Sequence, residues 1–260
     1  MIPPQFQREY NLVKNEYYHQ LHILKEEKGL RNVKLFRAKG IWALENLEPK
    51  MHVIFGNAKL PETTCIVNLG TWFNCPGRKE GFCEICEECY DKQIEVRFKE
   101  RTKDRLEHEI FWRSVDAKTF AMELIKKILQ HDNKENNNLN NPIIKTKLIR
   151  WSEVGDIRNQ KDLEKIIEIS NIVYNTIGIK SYIYTHNEGI DFNLKPRPGL
   201  IVNGSGFMVD NEYRVIKKDL IEKEFHNLND LSNKRECICD CNICSYCSEA
   251  NGLILIEELR

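Results

Sequence analysis

Nine of the ten cysteines in this 260-residue chain lie in two short stretches, and only Cys65 stands apart from them. The first cysteine set, within fifteen residues, comprises Cys75, Cys83, Cys86 and Cys89. The tail cysteine set, near the end of the sequence, comprises Cys237, Cys239, Cys241, Cys244 and Cys247. Two-residue spacers let neighbouring sulfurs converge on one point, as in loops that bind a metal through thiolates. The spacing therefore predicts metal ligands in both sets.

The alternative for clustered cysteines is a secreted domain held together by disulfides. The first nine residues lack the apolar core of a signal peptide, so we expect a reducing, cytoplasmic location. In that compartment clustered cysteines bind metal more often than they pair as disulfides. A chain of this length also buries a full core without such cross-links.

Composition disfavours some classes of partner. Lys and Arg together number 39, as do Asp and Glu, so no global positive field draws the chain to nucleic acid or to anionic lipid. No run of about eighteen apolar residues is present, and we therefore expect no membrane partner.

Apolar periodicity predicts an α/β protein. Short apolar runs at 51–55, 63–69, 147–151, 180–185 and 199–203 predict strands, and 253–256 adds a last one. The clearest helix is predicted at 161–176, ended by Gly178, and strand, helix, strand at this spacing indicates a parallel βαβ unit. Further helices are predicted at 5–28, ended by Gly29, across the charged stretch around 94–110, and at 116–130, capped by Asp116.

The predicted fold class is α/β, a partial barrel or open parallel sheet with flanking helices and a Cys-rich C-terminal extension. Residues 1–50 form a helical extension and residues 51–216 the α/β core, which includes an Asn-rich insert at 131–141 that we expect to be mobile. Residues 217–260 form a helical linker and the metal-binding tail.

Polar side chains follow several predicted strands at the point where each strand ends. In parallel α/β sheets the ligands bind at that edge, where loops and helix N-termini converge. Ordinary turn chemistry explains each of these residues taken singly. Taken together they predict a pocket with Glu153 and Asp156 as catalytic residues and a cofactor bound by Gly155, Thr185, Asn203 and Ser205.

A strand, a three-cysteine loop and a helix in such a sheet resemble the start of radical S-adenosylmethionine enzymes. The resemblance implies that Cys83, Cys86 and Cys89 hold a four-iron cluster whose open iron binds S-adenosylmethionine. The usual spacing in those enzymes is three residues and then two, whereas this chain has two and two. Cys75 lies upstream, and as a fourth ligand it would close the cluster.

Five short motifs, in order, resemble the phage "gene product eighty-eight" family. They are Gly56 to Leu60, Cys75-Pro-Gly, Cys89-Tyr90, Arg150 to Asp156 and Tyr182 to Thr185. The likeness spans about residues 50–250, includes the tail cysteine set and leaves the N-terminal helix outside. It implies no particular reaction, and a viral origin would imply the host cytoplasm. The chain departs from the family in its crowded Cys83 and Cys86, and in His186-Asn187.

Both zinc and iron–sulfur clusters accept sites made of cysteine alone. A zinc ribbon would join Cys83 and Cys86 to Cys244 and Cys247 in one structural site. Nine clustered thiols exceed what one zinc ion uses, and this favours one or two iron–sulfur clusters.

The iron–sulfur interpretation predicts an enzyme that acts on an unidentified small or macromolecular substrate and receives electrons from a donor. The zinc alternative is a structural or interaction module without catalytic activity. Such a module would contact nucleic acid through Lys145, Lys147, Arg150 and Trp151, which the neutral net charge disfavours.

Overall fold

The structure is a computed structural model that describes residues 2–38, 46–83, 89–134, 143–216, 233–237, 241 and 244–258. Cys86, Cys239, most of the Asn-rich insert and the predicted linker at 217–232 lie outside the described residues.

The described helices and strands alternate along most of the chain. The helices are α1 (Gln7–Ala38), α2 (Pro76–Glu80), α3 (Tyr90–Arg97), α4 (Lys99–Ser114), α5 (Ala117–Asp132) and α6 (Gln160–Ile177). The strands are β1 (Ile54–Phe55), β2 (Thr64–Val67), β3 (Leu148–Trp151), β4 (Lys180–Thr185), β5 (Leu200–Ser205), β6 (Asn211–Ile216), β7 (Lys234–Glu236) and β8 (Ile254–Glu258).

All eight strands join one open sheet in the order β1-β2-β3-β4-β5-β6-β8-β7. Only β1 pairs antiparallel, with β2, and every other neighbouring pair is parallel. The fold class is thus confirmed in its open-sheet form. Because β2 to β5 are parallel, the loops that follow them leave the sheet at the same edge.

Side chains alternate between the two faces of the sheet, so directly paired residues share a face. One face carries Val67, Trp151, Ile183 and Val202 in register and packs against α5 and α6 in the main core. The opposite face, called the tail face below, carries Arg150 opposite Tyr182, and Tyr184 opposite Asn203.

A second core lies between α1 and α4. Val13, Tyr17 and Leu21 of α1 are buried against Leu106 and Ile110 of α4, together with the loop after β2. The aromatic residues of α1 therefore cover the protein's own core. No helix in the described ranges is long and apolar enough to cross a membrane.

Several local predictions are confirmed and two need correction. Helix α6 ends at Gly178 in the left-handed conformation, and Asp116 caps α5 by accepting the N–H of Thr119. The prediction that Gly29 ends the first helix is wrong, because α1 continues to Ala38. A glycine inside a helix costs only about 1 kcal/mol relative to alanine, so it does not end a helix by itself. The prediction also missed β6 and β7.

Candidate metal centre

The loop after β2 draws Cys75 and Cys83 together. Cys75 is the N-cap residue of α2, and Pro76 occupies the first helical position. The N–H of Cys75 donates to the carbonyl oxygen of Trp72 at 3.3 Å. The N–H of Cys83 returns to the carbonyl oxygen of Gly77 at 3.1 Å. A Cβ on Gly77 would lie 3.0 Å from the Cys83 Cβ and 3.7 Å from the Cys75 sulfur. The glycine in Cys75-Pro-Gly thus leaves the room that both cysteines occupy.

Cys89 completes the described part of the first cysteine set as the N-cap residue of α3. Burial raises the pKa of the Cys89 thiol to about 11, and the charges of Asp91 and Cys83 add to the rise. Burial also raises the pKa of Cys75, with Asp156 adding to it, while the N–H groups of Arg78 and Gly77 act in the opposite direction. Cys83 acts electrostatically on both Cys75 and Cys89, so the three thiols lie in one neighbourhood.

A buried ion-pair network lies directly beneath Cys89. Arg105 donates to Glu95 and to Asp91, each at 2.6 Å, and the Glu95 oxygen also accepts the N–H of Trp72 at 2.9 Å. Burial raises the pKa of Glu95 to about 7 in spite of Arg105. The network joins α3 and α4 to the loop after β2 and so fixes the start of α3, where Cys89 lies.

The tail cysteine set lies against the tail face of the sheet. The N–H of Cys237 donates to the carbonyl oxygen of Ile256 at 2.7 Å, and that of Cys241 to the carbonyl oxygen of Lys59 at 3.3 Å. Burial raises the pKa of Cys247 to about 12. A hydrogen bond with Tyr184 opposes that rise, whereas the charges of Cys237, Cys241 and Cys244 add to it. Four described tail cysteines therefore lie near enough for the charges of three of them to act on the Cys247 thiol.

The turn after β1 connects the edge of the sheet to the tail. Asn57 Oδ1 accepts the N–H groups of Lys59 and Leu60, both at 2.8 Å, and its Nδ2 donates to Glu153 Oε1 at 2.5 Å. The carbonyl oxygen of Lys59 in the same turn accepts the Cys241 N–H. The Gly56 to Leu60 motif thus contacts both a predicted catalytic carboxylate and a predicted metal ligand.

Asp156 is buried at the same sheet edge and faces the first cysteine set. One of its oxygens accepts the N–H of Ile157 at 2.7 Å and the other the N–H of His186 at 2.9 Å. Its charge acts on the Cys75 thiol. Asp156, in the loop after β3, therefore binds the backbone just after β4 and acts on the first cysteine set.

The four residues predicted to bind a cofactor have different surroundings. Gly155 has φ +83°, and a Cβ there would lie 2.9 Å from the backbone nitrogen of Gly70, so the glycine permits close packing of two loops. Thr185 is buried and accepts the N–H of Asn187 at 3.1 Å. Asn203 donates to the carbonyl oxygens of Ile183 and Cys247, and Ser205 follows on the same face.

Asn203 thus anchors the tail instead of facing open solvent. The pocket predicted from the two carboxylates and the four cofactor-binding residues stays a prediction.

The sequence analysis did not predict that the tail face of the sheet contacts the tail cysteines. Arg150, Tyr182 and Tyr184 act electrostatically on Cys241 or Cys247, and Asn211 donates to the carbonyl oxygen of Glu249 at 2.7 Å. The sequence did carry one signal for this face. Arg150 alternates with Ile149 and Trp151, and Tyr182 and Tyr184 alternate with Ile183, so the polar side chains lie on the face opposite the main core. Trp151 itself is fully buried and donates to Ser170, so its ring is not exposed for base stacking.

Two other groups resemble ligand sites and are explained without one. His52, Asp104 and Glu107 have donor atoms within 4.8 Å of one another. Glu107 already accepts the N–H of Glu48 at 2.9 Å and faces two lysines, Lys50 and Lys103, at 3.5 Å. Cys65 is buried in the main core, and burial raises its pKa.

Comparison with known proteins identifies a family. No curated protein and no solved structure matches the chain. A family model described as Gene product 88 matches residues 23–203, which is more than half of the chain. The match begins within α1 and ends in β5, so it covers the first cysteine set but stops before the tail, unlike the range of 50–250 expected from the motifs. The chain therefore belongs to the Gene product 88 family.

Proposed function

We propose that this protein binds metal at two thiolate centres, one in each cysteine set. The observation that carries the proposal is the electrostatic action of Cys237, Cys241 and Cys244 on the Cys247 thiol, with none of these four cysteines in a disulfide. Cys75, Cys83 and Cys89 of the first cysteine set are likewise not in disulfides, and Cys83 acts through its charge on both of the others. Clustered thiols in such numbers serve a protein chiefly as metal ligands when they are not paired as disulfides.

The raised pKa values fit this proposal. A metal binds the thiolate, so each ligand must lose its proton as the metal enters. Without a metal, burial keeps Cys89 and Cys247 protonated at neutral pH, which avoids packing several negative charges together. A bound cation reverses that balance by neutralising the thiolates.

Iron–sulfur clusters are the form of metal that we propose. The tail cysteine set provides four described sulfurs by itself, so it needs no ligands from the first cysteine set to complete a site. This arrangement favours two separate centres over a single zinc ribbon that joins both sets. A colourless zinc site in the tail is the alternative, because four cysteines also satisfy a structural zinc ion.

The first cysteine set is the candidate for chemistry. It follows β2, the first parallel strand, and Glu153 and Asp156 follow β3 at the same edge. Three thiolates from Cys75, Cys83 and Cys89 would leave one iron of a four-iron cluster open to S-adenosylmethionine. That iron stays open only if Cys86 does not bind the cluster as a fourth ligand. When bound, such a cluster would supply one electron for cleavage of the cofactor, while Glu153 and Asp156 would orient polar groups beside it.

Anaerobic purification tests the proposal. We expect a brown protein that absorbs near 400 nm and contains iron and acid-labile sulfide. Substitution of Cys75 and Cys89 by alanine should remove one part of the iron, and substitution of Cys241 and Cys247 the other. Cys65→Ala is the matched control, because it removes a cysteine that lies in neither set. A colourless protein with one zinc ion per chain would support the zinc alternative, and a protein without bound metal would refute both.

A further inference from the structure

The guanidinium of Arg150 lies on the tail face and forms no salt bridge within the described part of the chain. Its Nε atom is buried and has no hydrogen-bond partner there, and its Cζ stands 5.4 Å from the centre of the Tyr184 ring. A partly buried guanidinium without a hydrogen-bonded anion has lost part of its hydration and is attracted only by charges farther away. A cation–π contact with one tyrosine offsets only part of that cost. The position therefore calls for an anion.

The two described carboxylates that interact with Arg150 through their charges, Glu153 and Asp91, are each hydrogen-bonded to another side chain. Glu153 accepts the side-chain amide of Asn57 through Oε1, and it forms no salt bridge to Arg150 within the described residues. Asp91 accepts from Arg105. Tyr182 and Tyr184 are neutral, since burial raises the pKa of both phenols. Cys241 also acts on Arg150, but as a single thiol it carries no charge while it holds its proton.

The tail cysteine set becomes anionic when a metal binds. Four thiolates around a divalent ion carry a net charge of about −2, and a four-iron cluster with four thiolates carries similar negative charge. Arg150 interacts electrostatically with Cys241 of this set. The hydroxyl of Tyr184 forms a hydrogen bond with Cys247. The ring of the same tyrosine contacts the Arg150 guanidinium.

We propose that Arg150 and Tyr184 stabilise the metal-loaded, anionic form of the tail cysteine set. Arg150 provides the counter-charge beside Cys241, and Tyr184 donates a hydrogen bond to the Cys247 sulfur. Neither residue is a ligand; both are positioning residues that belong to the sheet. The inference rests on the proposed tail centre and explains why Arg150 on β3 and Tyr184 on β4 face the tail.

A titration with ¹¹³Cd²⁺ as the probe tests the inference, because NMR resolves each thiolate site as a separate signal. Arg150→Gln should weaken cadmium binding at the tail about 10- to 100-fold, as is usual when an outer residue of a metal site is lost. Arg150→Lys, which keeps the charge, should recover much of that loss. Tyr184→Phe should weaken the tail site by about 10-fold and leave the signal of the first cysteine set unchanged.

Lys147→Gln is the matched control, since it removes one positive charge from an exposed residue just before β3. We also expect metal-free Arg150→Gln to be at least as stable to heat as the metal-free wild type, because the substitution removes a partly buried cation that has no hydrogen-bonded anion. A merely structural arginine would instead make the metal-free variant less stable.

The possible outcomes separate the two proposals. If the wild type binds no cadmium at the tail, the proposed tail centre is wrong. If the wild type binds it and both Arg150→Gln and Tyr184→Phe bind within twofold of Lys147→Gln, the tail centre stands and the role of Arg150 and Tyr184 is overturned. Tyr184→Phe changes only one hydroxyl, so it remains informative should Arg150→Gln fail to fold.

Discussion

The side-chain amide of Asn203 on β5 donates a hydrogen bond of 3.0 Å to the carbonyl oxygen of Cys247. Its Oδ1 accepts from Asn211 Nδ2 at 2.9 Å, and Asn211 in turn donates to the carbonyl oxygen of Glu249 at 2.7 Å. Both asparagines are fully buried. Two neighbouring strands thus hold the backbone of the tail cysteine set at a fixed place on the sheet.

Asn203→Asp should release the tail from the sheet. The carboxylate is nearly the same size as the amide but donates no hydrogen bond, so the carbonyl oxygens of Cys247 and Ile183 lose their donor next to a buried charge. We expect a loss of about 3 kcal/mol in the free energy of unfolding, measured with urea. Alkylation of the tail cysteines should also become faster, as measured by mass spectrometry.

Ser205→Ala, on the same face of β5, is the control for this change and should alter neither measurement appreciably. Equal alkylation rates in Asn203→Asp and in the wild type would contradict the anchoring role of Asn203.

Gly155→Ala should be more destabilising than Gly178→Ala. Both glycines have positive φ, +83° and +74°, so alanine is strained at either position by about 1 kcal/mol. Only at Gly155 does the added Cβ also meet backbone, the nitrogen of Gly70 at 2.9 Å, whereas the space at Gly178 is open. Thermal unfolding of the two variants measures the difference, and equal melting temperatures would show that the loop of Gly70 yields without strain.

Arg105→Met should destabilise the protein strongly. The substitution leaves the carboxylates of Asp91 and Glu95 buried without their cation, for which we expect a loss of about 3–5 kcal/mol in the free energy of unfolding at neutral pH. Lys103→Met on the same helix removes a more exposed pairing with Glu107 and should cost less than about 1 kcal/mol. Urea unfolding of both variants provides the comparison; similar losses would mean that the buried network contributes no more than a surface pair.

His108 should make stability depend on pH in the acidic range. Burial lowers the pKa of His108 to about 3, and its Nδ1 accepts the N–H of His52 at 3.0 Å, which requires the neutral ring. The unfolded chain takes up a proton near pH 6.5 and the folded chain does not, so the contribution of His108 is fully present above pH 6.5. It decreases as the pH falls from there to about 3, by about 1.4 kcal/mol per pH unit.

His108→Asn keeps a side-chain oxygen that can accept the His52 N–H but does not titrate. The free energy of unfolding of the wild type minus that of the variant should therefore rise with pH across this range. His22→Asn, which changes an exposed histidine, is the control. A flat difference between the wild type and His108→Asn would mean that His108 binds its proton equally well in the folded and unfolded chains.

The sequence by itself determined the local features. Apolar periodicity located the βαβ unit of β3, α6 and β4, since a helical or alternating pattern reflects the nearest neighbours along the chain. Cysteine spacing marked both cysteine sets, and five short motifs indicated the family. It did not locate β6 and β7, because β6 carries polar Asn211 and Glu212 among its first residues and β7 has only three residues.

The tertiary structure alone decided which distant residues meet. Nothing local in Asn203, Arg150 or Tyr184 indicates that they face the tail, because the order of strands and the face of each strand depend on burial of the whole core. The same packing brings Asn57 to Glu153 and Lys59 to Cys241. Spacing thus marked the cysteines as candidate ligands, and parallel pairing of the strands determined the charges and hydrogen bonds that surround them.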